Sequence, residues 1–382
     1  MAIGGAGLTK VDEHWEKSLM DLMAEASLAV LEKSGFTNID AVYVSNVFAE
    51  TLQEQVNLGS YLAEILGLRG ITATRVEAGG VSGLAALYSA ALSIASGLHK
   101  AVLVVGAEKM SDITTEEAVT LASMEEPAEY TASLGVTQLA EAALLYKEYM
   151  KRHALEQEDI AYFSVLSHEH SATAPHAQYQ FKISVDSVMN SPYVAEPIHR
   201  LETTSPADGA AAVLLLSEGY SKLLNAGKAY LMGFGFASDY LSPFDREDPL
   251  EIKSLSIAAD RALKSAGLTK KEISFIELHD SYSFLAPLSL EAMGFIDRGE
   301  ACHAVRKGYW SLSGEKPVNT FGGLKGRGNP FGASAVYAVV EAYLQVVGDA
   351  GKNQVEGARS GLVTSLAGLG AYAGAVVVEG VG

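Results

Sequence analysis

The stretch Val76-Glu-Ala-Gly-Gly-Val-Ser-Gly83 decides the fold, because a glycine-rich turn here leads directly into an apolar run from Leu84 to Ala95. Such a turn leaves backbone N–H groups free at the positively polarised start of a helix. The arrangement is typical of a place that holds an anion or carries a nucleophile. A second glycine-rich turn, Gly322–Gly332, opens a comparable helix near the other end of the chain.

Composition limits the possible classes of function. At 382 residues the chain exceeds one small core, so two domains or half-domains are expected. Its 46 acidic and 28 basic side chains give a net charge of -18, which argues against nucleic acid or an anionic membrane as the main partner. A single cysteine, Cys302, excludes a disulfide framework and a zinc cluster. With neither a leader peptide nor a membrane-length apolar run in view, we expect a cytoplasmic protein.

The chain contains an internal repeat, in which segments of the first part recur in the same order in the second. Helices in both copies end at a glycine of the kind that closes a helix, Gly35 and Gly267. The chain is therefore predicted to be a tandem duplication with halves 1–225 and 226–382. The paired segments are Met1–Thr9 with Tyr230–Ser238, Ala26–Thr37 with Ala258–Thr269, Ile39–Val44 with Ile273–Leu278, Val81–Ser96 with Phe331–Val347, Ala101–Val105 with Gly361–Ser365, and Asp208–Gly219 with Ala373–Gly380.

Strands alternate with helices in each half, which predicts an α/β protein with parallel or mixed sheets covered by helices. The two helices after the glycine-rich turns carry one charge between them, Glu341, so we expect them to be buried on all sides between two sheets. This predicts a five-layered α/β/α/β/α sandwich. Residues from about 111 to 200 lack a counterpart in the second half and are predicted to form an inserted lid or loop domain, with helices at Val136–His153 and Gln157–Ala172.

Five motifs carry a resemblance to a known family. In sequence order and over essentially the whole chain, they are similar to those of the thiolase superfamily, in particular its sterol-carrier-protein-type branch with its acetyl-CoA acetyltransferase relatives. The resemblance implies the duplicated, five-layered thiolase fold. The motifs are Gly106-Ala-Glu-Lys-Met-Ser111, Ser205-Pro-Ala-Asp-Gly-Ala-Ala-Ala-Val213, Glu277-Leu-His-Asp-Ser-Tyr-Ser283, Pro317-Val-Asn-Thr-Phe-Gly-Gly-Leu-Lys325 and Gly328-Asn-Pro-Phe-Gly-Ala333.

The catalytic positions depart from the family pattern. The family uses a cysteine in the first glycine-rich turn, where a helix N-terminus favours the thiolate. The resemblance places Gly80 at this position, and glycine forms no covalent intermediate. Asn329 stands where the family has the histidine of its Gly-His-Pro turn. An asparagine amide can donate a hydrogen bond to a thioester oxygen, but it is not a general base.

His279 with the adjacent Asp280 is the catalytic motif that remains, at the carboxyl end of a predicted strand where ligand sites of α/β proteins form. A histidine oriented by a carboxylate can act as a general base or an oxyanion donor. The alternative is a histidine with a purely structural hydrogen bond. Other candidates are weaker, since helix capping, core packing or a solvated turn would also explain them. The candidates for substrate binding are Ser82, Tyr282, Lys325 and Tyr372.

Three functions remain open. The first is a thiolase-type acyltransferase with an unusual nucleophile. The second is a non-covalent carbon–carbon lyase, a retro-aldolase of acyl-CoA thioesters, using His279 and Asn329. The third is a catalytically silent subunit that binds acyl-CoA or a partner. An apolar plug around Gly80 would count against both enzymes.

The expected ligands and partners follow from the same resemblance. Coenzyme A is expected as part of the substrate rather than as a cofactor, and no metal site is predicted. The resemblance also implies a homodimer formed through the first-half sheets. A small OB-fold companion protein is the further partner that it suggests.

Overall fold

The computed structural model describes residues 1–223 and 226–381. In these ranges nine strands form one mixed sheet in the order β3-β2-β4-β7-β1-β8-β11-β10-β9, and β5 pairs with β6 separately. The predicted boundary at 225/226 falls at residues 224–225, which lie outside the described residues. The strands are β1 (Ala2–Leu8), β2 (Ala41–Ser45), β3 (Thr72–Val76), β4 (Ala101–Glu108), β5 (Tyr193–Ala195), β6 (Ile198–His199), β7 (Gly209–Leu216), β8 (Ala229–Ser238), β9 (Phe275–Glu277), β10 (Ser360–Ala367) and β11 (Tyr372–Gly380).

Helices fill the connections and cover both faces of the sheet. The helices are α1 (Leu19–Ser34), α2 (Ala49–Leu52), α3 (Leu58–Ile65), α4 (Ser82–Ala95), α5 (Thr115–Ala122), α6 (Gln138–His153), α7 (Gln157–Ser171), α8 (Val185–Met189), α9 (Glu218–Leu223), α10 (Lys253–Ala266), α11 (Leu285–Ala292), α12 (Ala301–Arg306), α13 (Gly323–Arg327) and α14 (Phe331–Val347). Helix α1 begins with a capping box between Ser18 and Asp21. Helices α1 and α10 end at Gly35 and Gly267 in the left-handed conformation, as predicted.

The duplication is visible in the strand order. The second-half order β9-β10-β11-β8 repeats the first-half order β2-β4-β7-β1. Strands β2 and β4 pair in parallel, as do β9 and β10, whereas β4–β7 and β10–β11 are antiparallel. The two half-sheets join where β1 meets β8, through the pairs Ala2 with Tyr230 and Ile3 with Ala229. The predicted duplicated α/β fold is confirmed.

The layers also follow the prediction. Helices α4 and α14 pack against each other between the half-sheets, while α1 covers the outer face of the first and α10 that of the second. The expectation of complete burial is wrong for α4. Tyr88 and Leu92 on this helix are 39% and 51% exposed. The Tyr88 ring is covered on one side, where it contacts Phe234 and Phe236 of β8 at centroid distances of 5.5 and 5.0 Å.

A buried carboxylate ties the two halves together. Glu108, at the end of β4, accepts hydrogen bonds from the backbone N–H groups of Val47 (2.9 Å) and Phe48 (3.1 Å) and from the Asn46 side chain (2.7 Å). It also accepts one from Gly332 N at 3.1 Å, in the first turn of α14. The first half therefore supplies the acceptor for the start of the second half's central helix.

The inserted segment lies between β4 and β7. Its helices α6 and α7 confirm the two predicted helices, and they pack into the same apolar core as α10 and α11 of the second half. Before them, α5 continues into a 3-10 turn at Ser123–Glu125, whose last residue contacts the first glycine-rich turn. Across the described ranges, none of the helices has the length and apolar character needed to cross a membrane.

Candidate functional site

The first glycine-rich turn is a 3-10 turn, Gly79–Val81, that runs directly into α4. Gly79 has a φ of 55°, a left-handed conformation that favours glycine. The Ser82 hydroxyl accepts a hydrogen bond from Ala78 N (2.8 Å) and donates one to Gly79 O (2.6 Å). Ser82 is fully buried, so its hydroxyl closes the turn and does not face a ligand. Ser82 is the first residue of α4 and makes no helix-capping hydrogen bond, so its contacts are those of a turn-closing residue.

Gly80 lies against the second half of the chain. A Cβ atom built on Gly80 would collide with the carbonyl oxygen of Leu366 and would lie 3.1 Å from Cε1 of His279. The predicted nucleophile position is thus beside the predicted catalytic histidine, although 199 positions of sequence separate the two residues in the chain. Glycine is required here by the close approach of the Leu366 backbone.

His279 follows β9, and its ring is held by a short chain of hydrogen bonds. Nδ1 lies 3.3 Å from the Ser365 hydroxyl, which itself donates to Gly80 O at 2.7 Å. Because that hydroxyl proton is committed to Gly80, Nδ1 carries the proton given to Ser365, and Nε2 keeps its lone pair. Burial, assisted by the positive charge of Arg327, lowers the pKa of His279 to about 4. The imidazole is therefore neutral at pH 7.

Asp280 does not orient His279, contrary to the expectation from the His-Asp pair. Its carboxylate accepts hydrogen bonds from Leu324 N (2.7 Å) and from the Ser167 hydroxyl (3.3 Å). Successive residues of an extended segment point to opposite sides, which is why neighbours in sequence diverge here. Burial raises the pKa of Asp280 to about 6. Asp280 anchors the second glycine-rich turn to α7.

The alternative of a solvated second turn does not hold for its two cations, Lys325 and Arg327, because both are buried. Lys325 is buried with Nζ 3.5 Å from His168 Nε2 and 5.6 Å from the ring centre of Tyr179, and burial lowers its pKa to about 8. Arg327 is buried in an ion pair with Glu341 at 2.7 Å. Both side chains serve the packing of the turn, and Lys325 does not line the ligand cavities described below.

Asn329 and Tyr282 line one side of an apolar cavity of about 660 Å³, counted with the solvent at its mouth. The Asn329 amide oxygen accepts from the Ser334 hydroxyl at 2.7 Å, whereas its Nδ2 has a long contact of 3.5 Å with Thr204. The bond from Ser334 thus orients the amide, and its Nδ2 donor makes only the long contact with Thr204. Apolar residues of α5 and its surroundings form the opposite wall, among them Met110, Ala118, Val119, Ala122 and Leu139.

Tyr372 lies in a different cleft. This second cleft, of about 1520 Å³ with its open solvent, is lined by Tyr372, Gly79, Glu125 and Ala367. It reaches the first glycine-rich turn, whereas the apolar cavity reaches Asn329. The structure therefore brings Gly80 and His279 together, places Asn329 and Tyr282 on one cavity, and leaves Tyr372 on the other side.

Glu125 is a site residue that sequence reasoning misses. Its Oε1 accepts a hydrogen bond from Gly80 N at 2.6 Å, and the carboxyl also accepts from the Gly368 backbone. The space in front of Gly80 is thus filled by a polar group and not by an apolar plug. The only local signal is the acidic pair Glu125-Glu126 before Pro127, which matches no motif. Within the described residues no group of three or more His, Cys, Asp or Glu side chains is placed to hold a metal ion.

Comparisons with known proteins identify relatives over nearly the whole chain. The family models for the thiolase N-terminal domain and the thiolase C-terminal domain-like region match residues 2–219 and 235–380. Acetyl-CoA acetyltransferase of Methanothermobacter thermautotrophicus is 36% identical over 98% of this chain and 97% of that protein. Human sterol carrier protein 2 is 30% identical over 98% of this chain and 70% of its own length.

Solved structures show the same fold. The Ltp2-ChsH2(DUF35) aldolase superposes with a TM-score of 0.85 at 23% identity, covering 99% of this chain and 97% of that one. Human mitochondrial 3-ketoacyl-CoA thiolase superposes with a TM-score of 0.79 at 17% identity, covering 100% and 98%. Together with the family models that span both halves, these likenesses identify the chain as a member of the thiolase family.

Proposed function

We propose that the protein binds acyl-CoA thioesters and cleaves or forms the bond between their α- and β-carbons without an acyl-enzyme intermediate. The observation that carries this proposal is the pairing of Gly80 with a neutral, hydrogen-bonded His279. The position beside the histidine lacks a nucleophile, whereas the neutral imidazole has a lone pair that can accept a proton. A 3-hydroxyacyl-CoA is the substrate class that such a site suits.

The covalent alternative finds little support in the other nucleophilic side chains. Cys302 is fully buried among Tyr149 and Glu291, and burial raises the pKa of its thiol well above the ordinary value. A thiol in that state is a poor nucleophile. The hydroxyls of Ser82 and Ser365 both donate to backbone carbonyls of the first turn.

The proposed reaction needs one base and one site for a negatively charged oxygen. His279 Nε2 takes the proton of the 3-hydroxyl group as the bond between the α- and β-carbons breaks. The β-carbon becomes a carbonyl, the electron pair moves into the thioester enolate, and the α-carbon then takes a proton. Asn329 Nδ2 is a donor for the substrate in the apolar cavity, whose walls suit a non-polar acyl group. The step requires neither an oxidant nor a reductant.

A catalytically silent acyl-CoA-binding subunit is the second candidate. The observation that favours it is Glu125, which occupies the backbone N–H groups that a thioester oxygen would otherwise use. The aldolase among the structural relatives is described as a complex with a DUF35 protein. By analogy we propose that a small OB-fold companion assembles with this chain also.

A second copy of the chain is the other proposed partner. Strand β3 ends the sheet with partly exposed side chains and an edge that no strand of the described residues pairs with, and Tyr88 and Leu92 of α4 are further exposed apolar side chains. An edge of this kind is a template for strand pairing with another chain. We expect a homodimer in solution that Tyr88→Lys weakens, measured by light scattering across a concentration series.

Substrate cleavage tests the enzymatic proposal directly. A panel of 3-hydroxyacyl-CoA thioesters, incubated with the protein, is expected to yield a shorter acyl-CoA detected by mass spectrometry. His279→Ala should reduce the rate about 100-fold or more, the usual contribution of a positioned base. His303→Ala, at an exposed position of α12, serves as the control. A covalent acyl adduct on the protein would refute the non-covalent mechanism, and binding without turnover would favour the silent subunit.

A further inference from the structure

Glu125 reaches the first glycine-rich turn from the inserted segment. Its Oε1 lies 2.6 Å from Gly80 N, and its Oε2 lies 3.4 Å from Gln138 Nε2. A Cβ atom on Gly79 would collide with Oε1. The carboxyl group therefore occupies a volume that is free because residues 79 and 80 have no side chains.

His279 and Glu125 approach Gly80 from different parts of the chain. The histidine ring, carried by the end of β9, lies 3.1 Å from where a side chain of residue 80 would begin. Glu125 comes from the insertion and binds the N–H group of the same residue. Two titratable groups thus meet at the one position where the family resemblance predicts a nucleophile and this chain has none.

The surroundings of Glu125 suit proton transfer. Burial raises its pKa to about 7, with the charge of Glu77 acting in the same direction, while the hydrogen bonds from Gly80 and Gly368 act against it. The adjacent Glu126, whose Oε2 is buried without a hydrogen-bond partner in the described structure, has a pKa raised to about 9 by burial and by Glu141. The groups facing the cluster from other elements are Gln138, Tyr282 and Arg246.

We propose that Glu125 is a second catalytic group, the acid that returns a proton to the α-carbon after bond cleavage. This inference rests on the proposed function. When a thioester oxygen takes the N–H groups of Gly80 and Gly368, it displaces the carboxyl, which then lies beside the α-carbon attached to that carbonyl. The displaced carboxyl has lost two hydrogen bonds that favour its anion, so it binds a proton more readily.

The step balances without a further reactant. The enolate of the leaving acyl-CoA gains the carboxyl proton at its α-carbon, and Glu125 becomes a carboxylate. His279 holds the proton taken from the 3-hydroxyl group, and exchange with solvent returns both groups to their starting states. In the reverse direction the Glu125 carboxylate removes a proton from the α-carbon of an acyl-CoA.

That reverse step separates the roles of the two residues. In D₂O at subsaturating acetyl-CoA, where the pH profile reports the free enzyme, the wild type should exchange the α-protons at a rate that levels off above the Glu125 pKa of about 7, followed by mass spectrometry. Glu125→Gln keeps the size and an acceptor oxygen, and it should slow exchange about 100-fold. Exchange needs no 3-hydroxyl group, so it reports on Glu125 without the cleavage step in which His279 acts.

Controls keep the test decisive. Glu129→Gln changes an exposed carboxyl of the same segment and should behave as wild type. Glu125→Asp, which withdraws the carboxyl by one methylene, should give an intermediate rate and guards against a folding defect in Glu125→Gln. Unchanged exchange in folded Glu125→Gln would overturn the inference while leaving cleavage by His279 intact. A wild type that neither cleaves nor exchanges any acyl-CoA would overturn the proposed function and this inference together.

Discussion

Replacing Gly80 by alanine tests whether the site can accommodate any side chain at the nucleophile position. The added Cβ would collide with the Leu366 carbonyl oxygen, which belongs to β10 and cannot turn away as a flexible side chain would. Overpacking of this kind costs about 1–3 kcal/mol. Alanine also reduces the conformational entropy of the unfolded chain, which offsets about 0.4–1 kcal/mol of this cost. We expect Gly80→Ala to lower the free energy of unfolding by about 1–2 kcal/mol.

Urea unfolding of Gly80→Ala beside Gly219→Ala checks this value. Gly219 lies in α9, and a Cβ atom there meets no atom within 4 Å. The control should be neutral or more stable by up to about 1 kcal/mol, since alanine favours helix. If Gly80→Ala proves as stable as the control, the Leu366 backbone yields to a side chain. The argument that the Leu366 backbone requires glycine at position 80 would then be refuted.

Three further variants probe the buried charges. Lys325→Met should raise the free energy of unfolding by about 3 kcal/mol at pH 7 and by less at pH 10, because the lysine pKa falls from 10.5 to about 8 on folding. In the same urea titrations, Lys271→Met at the surface should change little. The wild type should lose stability as pH falls from 6.5 towards 4, because the unfolded histidine binds a proton that the folded one does not, and His279→Ala should not show this loss. Thermal unfolding between these pH values would show no difference between the two proteins if the ring were already charged when folded. Glu108→Ala should cost several kcal/mol by leaving N–H donors unpaired, and Glu108→Gln less; equal urea midpoints would contradict this.

Much of the fold is encoded locally and could be predicted. Glycines at helix ends such as Gly35 and Gly267, the apolar runs of the strands, and their recurrence in the same order specify the two halves without any knowledge of long-range contacts. The proximity of Gly80 to His279 could be anticipated, because Gly80 lies at the start of a helix and His279 at the end of a strand. A duplicated sheet brings such positions together. Residues in such regular positions are predictable from pattern alone.

The contents of the site were less predictable because they depend on contacts between distant segments. Asp280 follows His279 in sequence but binds Leu324, since an extended chain directs neighbours to opposite sides. Glu125 belongs to an insertion whose path no periodicity specifies. The partial exposure of Tyr88 likewise depends on a distant segment, since Phe234 and Phe236 of β8 cover one side of its ring.

The bond from Gly332 N to Glu108 has a consequence for how the molecule folds. The halves repeat each other in sequence, yet the central helix of one begins on a carboxylate of the other. A fragment ending at residue 223 would expose the faces of β4 and β7 that α14 covers, and the remaining fragment would lose the acceptor at the start of that helix. Each copy in the duplicated fold thus contributes to the other, and we expect the pair to be the unit of cooperative unfolding.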